Sequence, residues 1–156
     1  MEIRRYKPGE EEAIWQIFFD ATHISNARDY HPDLIERWAP KHRDMVDWSE
    51  RLKETNPFVA VEDGKTVGMA EIEENGFINY FYVHPESQGK GIGKALMTQV
   101  EEQAIEYGIK RIFADVSITA KTFFQSRGFE ITEERSNVII GHPAPNFRME
   151  KILPIQ

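Results

Sequence analysis

The sequence predicts an α+β fold built on a mixed, mostly antiparallel sheet, with one parallel βαβ core and helices on both faces. Two turn signals, Asp-Gly at 63–64 and Asn-Gly at 75–76, separate three strand-like segments and predict an antiparallel meander. The third segment, residues 77–83, is aromatic and leads into a segment with helical periodicity. A further strand pattern follows at residues 111–116. Two strands joined through a helix pair in parallel, so this unit supplies the parallel core.

The first third of the chain predicts one short strand followed by helices. Residues 1–6 alternate weakly and predict a strand, which a Pro-Gly pair ends. Three glutamates at 10–12 place acid on the first turn of a helix, where the helix dipole favours it. Apolar residues spaced along the next turns give this helix a buried face. A short helical piece at residues 34–38 and a longer helix at about 43–54 complete this part.

The last part of the chain predicts a short helix and closing strands. Residues 120–126 predict the helix, and Gly128 ends it. Residues 129–140 alternate loosely between apolar and polar types, and residues 146–153 predict the final strand. We find no internal repeat and no linker composition, so we expect residues 1–156 to form a single domain around one core.

The composition excludes several classes of function. The chain has 26 acidic and 19 basic residues, a formal net charge of −7, which argues against nucleic acid or an anionic membrane as a partner. The absence of cysteine excludes disulfides and a thiol nucleophile, and it fits a reducing cytoplasm. The N-terminus has no apolar signal core, and no apolar run is long enough to cross a bilayer. We therefore expect a cytoplasmic protein and leave a homodimer open.

The segment 88–94, Gln-Gly-Lys-Gly-Ile-Gly-Lys, predicts a binding loop for phosphate. Its three glycines let the backbone turn tightly, and N–H groups at the start of the following helix can point together at an anion. A dinucleotide fingerprint is excluded because Lys94 stands where its third glycine is needed. A Walker A loop is excluded because Gln88 stands where its first glycine is needed.

The loop instead fits the pattern Gln/Arg-x-x-Gly-x-Gly/Ala, with Gln88, Gly91 and Gly93 at the fixed positions. It resembles the pyrophosphate loop of the GNAT superfamily of acyl-CoA-dependent N-acyltransferases. A second block, residues 117–129, resembles the family pattern Asn-x-x-Ala-x-x-Leu/Phe-Tyr-x-x-x-Gly-Phe at the proper distance from the loop. Its matching residues are Ala120, Phe123, Gly128 and Phe129. The chain is identified as a member of this family, of the small stand-alone bacterial type, and so as one N-acetyltransferase domain.

The resemblance implies acetyl-CoA as co-substrate, in a gap where the aromatic strand and the following parallel strand splay apart. Backbone groups near Val83 would pair with the pantetheine and polarise the thioester carbonyl. The side chains implied to flank the pantetheine arm are Ser117, Ala120 and Phe123. The N–H groups implied to hold the pyrophosphate are those of Gln88, Gly89, Lys90, Gly91, Ile92, Gly93 and Lys94.

Two residues depart from the family pattern. Ser117 stands where the family often has Asn, and its hydroxyl can still bond a pantetheine amide with shorter reach. Phe124 stands where many members have a Tyr that is thought to protonate the departing thiolate. Either another group or solvent must then do this work. Phe124 also motivates one alternative to the enzyme, a non-catalytic acyl-CoA-binding module. A nucleotide-binding regulatory protein is a more distant alternative.

The expected reaction is direct attack of a primary amine on the acetyl group. The hairpin register places Glu71 opposite Tyr80 and Met69 opposite Tyr82, and we take Glu71 and Tyr80 as the candidate catalytic pair. The alternatives are that they form a plain sheet pair, or that a bulge turns Asn79 toward the cleft instead. His84 is a third candidate.

No metal is expected, because the remaining histidines lack the spacing of metal ligands; they are His23, His31, His42 and His142. The acceptor is expected to be a small-molecule or peptide amine. An acidic set near the predicted acceptor side favours a cationic or lysine-like amine. The alternative is that these carboxylates form an ordinary solvated surface; they are Asp20, Asp29, Asp33, Glu36, Glu71 and Glu73.

Overall fold

The structure, a computed structural model, describes residues 1–154. The strands are β1 Glu2–Arg5, β2 Phe58–Glu62, β3 Lys65–Ile72, β4 Ile78–Val83, β5 Arg111–Ser117, β6 Glu130–Arg135, β7 Val138–Ile139, β8 His142–Pro143 and β9 Asn146–Ile152. The α-helices are α1 Glu11–Asp20, α2 Pro32–Trp38, α3 Met45–Thr55, α4 Ile92–Glu106 and α5 Lys121–Ser126. A π-helical turn at Ala21–Ser25 and 3₁₀ turns at Asn26–Arg28 and Pro85–Ser87 complete the elements.

Two antiparallel sheets meet at a single point. Strands run in the order β1-β2-β3-β4 in the first sheet and β5-β9-β6 in the second. One parallel bridge, between Phe77 and Phe113, joins them, and the Phe113 N–H donates to the Gly76 carbonyl over 3.0 Å. The predicted α+β class and the parallel direction of β4 and β5 are confirmed. The pairing is limited to the start of these strands, which diverge toward their carboxyl ends.

Gly76 explains how the two sheets approach each other. Its φ is +97°, and a Cβ at this position would lie 2.3 Å from the carbonyl oxygen of Arg111. Only glycine combines this backbone conformation with so close an approach of another chain segment. The residue that makes the second hairpin turn therefore also makes room for the bridge.

The register of β3 and β4 contains a bulge. Met69 pairs with Tyr82 as predicted, but the ladder shifts between the pairs Ala70–Phe81 and Ile72–Ile78. Two β4 residues therefore lie opposite Glu71, and the predicted one-to-one pair of Glu71 with Tyr80 is corrected. A bulge of this kind turns a side chain to a new direction without ending the sheet.

Helices cover both faces of the first sheet, as predicted. Helix α4 begins after Gly91 and buries one side, which includes Leu96 and Val100, against the strands. Helices α1 and α3 cover the opposite face, where Trp48 and Leu52 lie fully buried beside Met69. No helix within residues 1–154 combines the length and the apolar character needed to cross a membrane.

Candidate active site

A cavity of about 470 Å³ occupies the space between the diverging halves of β4 and β5. It is lined by both strands, by the glycine loop with the start of α4, and by α5. Of the residues predicted to bind acetyl-CoA, nine line it: Val83, Gln88, Gly89, Gly91, Gly93, Lys94, Ser117, Ala120 and Phe123. The side chains of the other two point away, since Lys90 is exposed 3.9 Å from Glu62 and Ile92 is buried in the core; the prediction for these residues concerned their backbone N–H groups, which lie between lining residues of the loop.

The glycines of the loop meet two different demands. Gly89 and Gly91 have φ of +79° and +83°, and a Cβ at either position would meet no atom within 4 Å. Backbone conformation, not packing, therefore requires glycine there, and it leaves open space beside the first turn of α4. Gly93 instead allows close packing, because a Cβ would lie 3.0 Å from the Phe123 ring. The result is a cradle that suits a phosphate group.

The charge of the cavity is positive although the chain is acidic overall. Arg28, Lys94 and Arg127 line it. Asp115 is the acidic residue in the lining, and its carboxylate accepts hydrogen bonds from Arg135 at 2.8 Å and from another arginine, Arg148, at 2.7 Å. The negative charge of Asp115 is thus compensated, which leaves the cavity favourable for an anionic ligand such as a pyrophosphate.

Residues 21–30 cross the gap between the ends of β4 and β5, and we call them the bridging segment. On the β4 side, the Gln88 amide donates to the Ser25 hydroxyl at 3.4 Å and to the Val83 carbonyl at 3.2 Å. On the β5 side, the Tyr30 hydroxyl accepts from the Ile118 N–H at 2.8 Å and donates to the Pro145 carbonyl at 2.7 Å. Burial raises the pKa of Tyr30, so its phenol stays protonated. Sequence reasoning missed these contacts because they join residues far apart in the chain.

Glu71 and Tyr80, the predicted catalytic pair, lie outside the lining of the cavity. Glu71 is 2% exposed, and its carboxylate accepts two hydrogen bonds from Arg51 and one from Thr55, each of 2.8 Å. The Arg51 guanidinium lies 4.3 Å above the Tyr80 ring. These residues join α3 to the sheet on the face away from the glycine loop. Their placement does not support a direct part in catalysis.

The two alternative residues differ in their placement. Asn79, at the bulge, is exposed and lines the cavity, as the bulge alternative predicted. His84 lies beside the cavity, and both of its ring nitrogens are engaged: Nδ1 accepts from the Glu86 N–H at 3.2 Å, and Nε2 lies 2.8 Å from a carboxylate oxygen of Asp20. Both ring nitrogens of His84 are therefore engaged in contacts within the protein.

Tyr82 lines the cavity and was considered in the sequence only as the partner of Met69. Its ring packs against Phe18 and Tyr80, with centroids 5.0 and 5.9 Å apart. Burial, with a smaller effect from Tyr80, raises the pKa of its phenol. Phe124 lines the same cavity and is 3% exposed. Alternation along β4 places Tyr82 on the same face as Tyr80, which does not line the cavity, so this pattern gave no signal for Tyr82.

A diverging parallel pair, a positive cavity between its strands and a glycine cradle at a helix start together define an acyl-CoA-dependent N-acyltransferase. The chain belongs to the GNAT acetyltransferase family, since the model described as "Acetyltransferase (GNAT) domain" matches residues 26–151. It is an acetyl-CoA-dependent N-acetyltransferase, with acetyl-CoA as co-substrate. This finding supports the enzyme over the two alternatives, a non-catalytic module and a nucleotide-binding regulator.

Two relatives and two solved structures are similar to this chain over most of its length. An uncharacterized N-acetyltransferase of Escherichia coli, YafP, is 30% identical over 96% of this chain and 94% of its own. The E. coli peptidyl-lysine N-acetyltransferase YiaC is 29% identical over 84% of each chain. A GCN5-related N-acetyltransferase from Rhodopseudomonas palustris has a TM-score of 0.89 and 28% identity, covering 97% of this chain and 95% of its own. A Salmonella typhimurium acetyltransferase solved with acetyl-CoA shares the fold, with a TM-score of 0.75 and 21% identity over 100% of this chain and 95% of its own.

Proposed function

We propose that this protein transfers the acetyl group of acetyl-CoA to a primary amine of a small molecule or peptide by direct attack. The observation that carries the proposal is the cavity between β4 and β5, where nine residues predicted for acetyl-CoA come together. The chain has no cysteine to form an acyl-enzyme. Direct transfer then depends on a neutral amine held in line with a polarised thioester.

The residues of the cavity divide between the two ends of acetyl-CoA. The cradle of Gly89 and Gly91, together with Lys94, is placed to hold the pyrophosphate. Within residues 1–154, no strand pairs with the cavity edge of β4 beyond the bridge, so this edge can bond the pantetheine amides; the Val83 carbonyl there already accepts one hydrogen bond, from the Gln88 amide. Ser117 and Phe123 flank the arm from the β5 side.

Removal of the first proton from the amine is a substantial part of the barrier. An alkyl amine with a pKa of ~10.4 is neutral in about 1 molecule in 2,500 at pH 7, which corresponds to roughly 4.6 kcal/mol. The lining of the cavity offers no free carboxylate, because Asp115 is paired with two arginines. We therefore propose that solvent water takes this proton before attack.

We propose a lysine-like amine as the acceptor. The relative named as a peptidyl-lysine N-acetyltransferase supports this class of acceptor. The acidic set contributes somewhat less than its number suggests, because the charge of Glu71 is compensated by Arg51; Asp29, by contrast, accepts only from the neutral Thr119 hydroxyl and keeps its charge. Net attraction of a cation therefore comes from the remaining surface charge and is sensitive to salt.

The test is a measurement of free CoA release with a panel of amines of different charge. Peptides with an internal lysine, peptides with only a free α-amine, small diamines and neutral amines are compared by kcat/KM at low and high salt. We expect the lysine-type amines to give the highest kcat/KM, and we expect salt to lower it. A preference for neutral or anionic amines without a salt effect would overturn the proposed acceptor.

A further inference from the structure

We propose that the Tyr82 hydroxyl relays a proton from the acceptor nitrogen to the departing sulfur. Many family members are thought to protonate this sulfur with a Tyr at the position that Phe124 occupies here. This inference rests on the proposed function and assigns one step of it to a residue of β4. The other side chain in question, Phe124, has no group that donates or accepts a proton.

The position of Tyr82 carries the proposal. Of the five tyrosines, all of them within the described residues, only Tyr82 lines the cavity between β4 and β5. It shares this lining with Phe124 from the β5 side and with Ala21 from the bridging segment. A hydroxyl at Tyr82 and a phenol at position 124 would therefore act in the same space.

The Tyr82 hydroxyl is free for substrate. The hydroxyls of Tyr6 and Tyr30 bond Glu11 and Pro145. By contrast, no group within residues 1–154 makes a hydrogen bond to the Tyr82 hydroxyl. Its oxygen is also not one of the atoms that are both buried and without a partner, so it keeps some contact with solvent. The ring itself packs against Phe18 and Tyr80, which restricts the directions that the side chain can take. A positioned group with unused donor and acceptor capacity is what proton transfer requires.

The proposed step balances in atoms and charge. The neutral amine attacks the acetyl carbon, a C–N bond forms and the C–S bond breaks. The nitrogen loses one proton and the sulfur gains one. One hydroxyl does both, because it accepts the proton from nitrogen as it gives its own to sulfur. Partial burial raises the pKa of the Tyr82 phenol, which suits a relay, since the hydroxyl starts and ends the step protonated.

The first test removes only the hydroxyl. Tyr82→Phe should lower kcat by about 100-fold or more, the usual size of a general acid–base effect, and leave the acetyl-CoA affinity measured by calorimetry unchanged. Tyr80→Phe is the matched control, because it makes the same change at a neighbouring β4 tyrosine that does not line the cavity. We expect this control to keep kcat within about threefold.

The second test restores a phenol from the other wall. Phe124→Tyr in the Tyr82→Phe background should recover at least about tenfold of the lost kcat, because position 124 lines the same cavity. A Tyr82→Phe enzyme that keeps kcat within threefold, or that loses acetyl-CoA affinity together with activity, would overturn the relay. Wild-type protein that releases no CoA with any amine would instead overturn the proposed function, so the two failures are distinguishable.

Discussion

Gly91 is a position where any side chain would enter the cavity. Its φ of +83° is strained for any residue with a side chain, and the space where a Cβ would lie belongs to the cavity. We predict that Gly91→Val lowers the acetyl-CoA affinity at least about tenfold, because the side chain blocks the approach of pyrophosphate to the backbone. Isothermal calorimetry with acetyl-CoA measures the effect.

Gly141 is the matched control for this change. Its φ is +80°, a Cβ there would also meet no atom within 4 Å, and it does not line the cavity. Gly91→Val and Gly141→Val should therefore both lower the free energy of unfolding by about 1–2 kcal/mol, because of the left-handed backbone conformation. Only Gly91→Val should lose affinity for acetyl-CoA. Equal affinities for the two variants would remove the loop from the acetyl-CoA site.

The buried carboxylate of Glu71 gives a second prediction for one residue. Replacing one partner of a buried ion pair leaves the other charge uncompensated. We therefore expect Glu71→Gln to lower the free energy of unfolding by about 3 kcal/mol, the low end of the usual range, because Arg51 keeps some contact with solvent. The kcat of the folded variant should change little, since Glu71 does not line the cavity.

Urea unfolding and steady-state kinetics on the same preparation separate the two roles of Glu71. Glu133→Gln is the control for stability, because the exposed Glu133 carboxylate pairs with Arg135 at 3.3 Å and such pairs contribute about 0–1 kcal/mol. A large loss of kcat in Glu71→Gln, with unfolding unchanged, would restore Glu71 as a catalytic residue.

In and around strand β4, the glycine loop could be predicted from the sequence, whereas the register of the strand could not. The glycine loop that follows β4 could be recognised from the sequence, because its spacing of glycines is local and matches the family pattern. The bulge was given only as an alternative, because two β4 residues opposite Glu71 result from the packing of the whole sheet and not from a local pattern. The bulge decides which side chains turn toward the cavity, so the catalytic residues were harder to predict than the cofactor residues.

The structure of the bridging segment also could not be predicted from the sequence. Its sequence has no regular periodicity, and the structure resolves it into a π-helical turn and a 3₁₀ turn after α1. The contacts that fix it, such as that between Tyr30 and Ile118, join residues 88 positions apart. Pattern reasoning covers neighbours within a helix or hairpin, whereas these contacts depend on how the elements pack in three dimensions.

The whole molecule depends on the bridge that joins its two larger sheets. We predict that Gly76→Ala lowers the free energy of unfolding by about 2–5 kcal/mol, the sum of a left-handed conformation and of overpacking against the Arg111 carbonyl. Gly64→Ala in the first hairpin is the control, because its φ is +76° but its Cβ would meet no atom within 4 Å. Urea unfolding measures both variants, and equal losses would contradict the proposed role of the bridge.

The divergence of β4 and β5 also affects how the molecule behaves in concentrated solution. Unpaired strand edges invite other chains to add to a sheet, which is a common route to aggregation. In this fold the unpaired edges of β4 and β5 face each other across the cavity, beside the bridging segment. The outer edges of the two larger sheets are β1 and β6, whose sequences Glu-Ile-Arg-Arg and Glu-Ile-Thr-Glu-Glu-Arg are rich in charge. The separation of strands that makes room for the substrate thus also keeps two edges from recruiting a neighbouring chain.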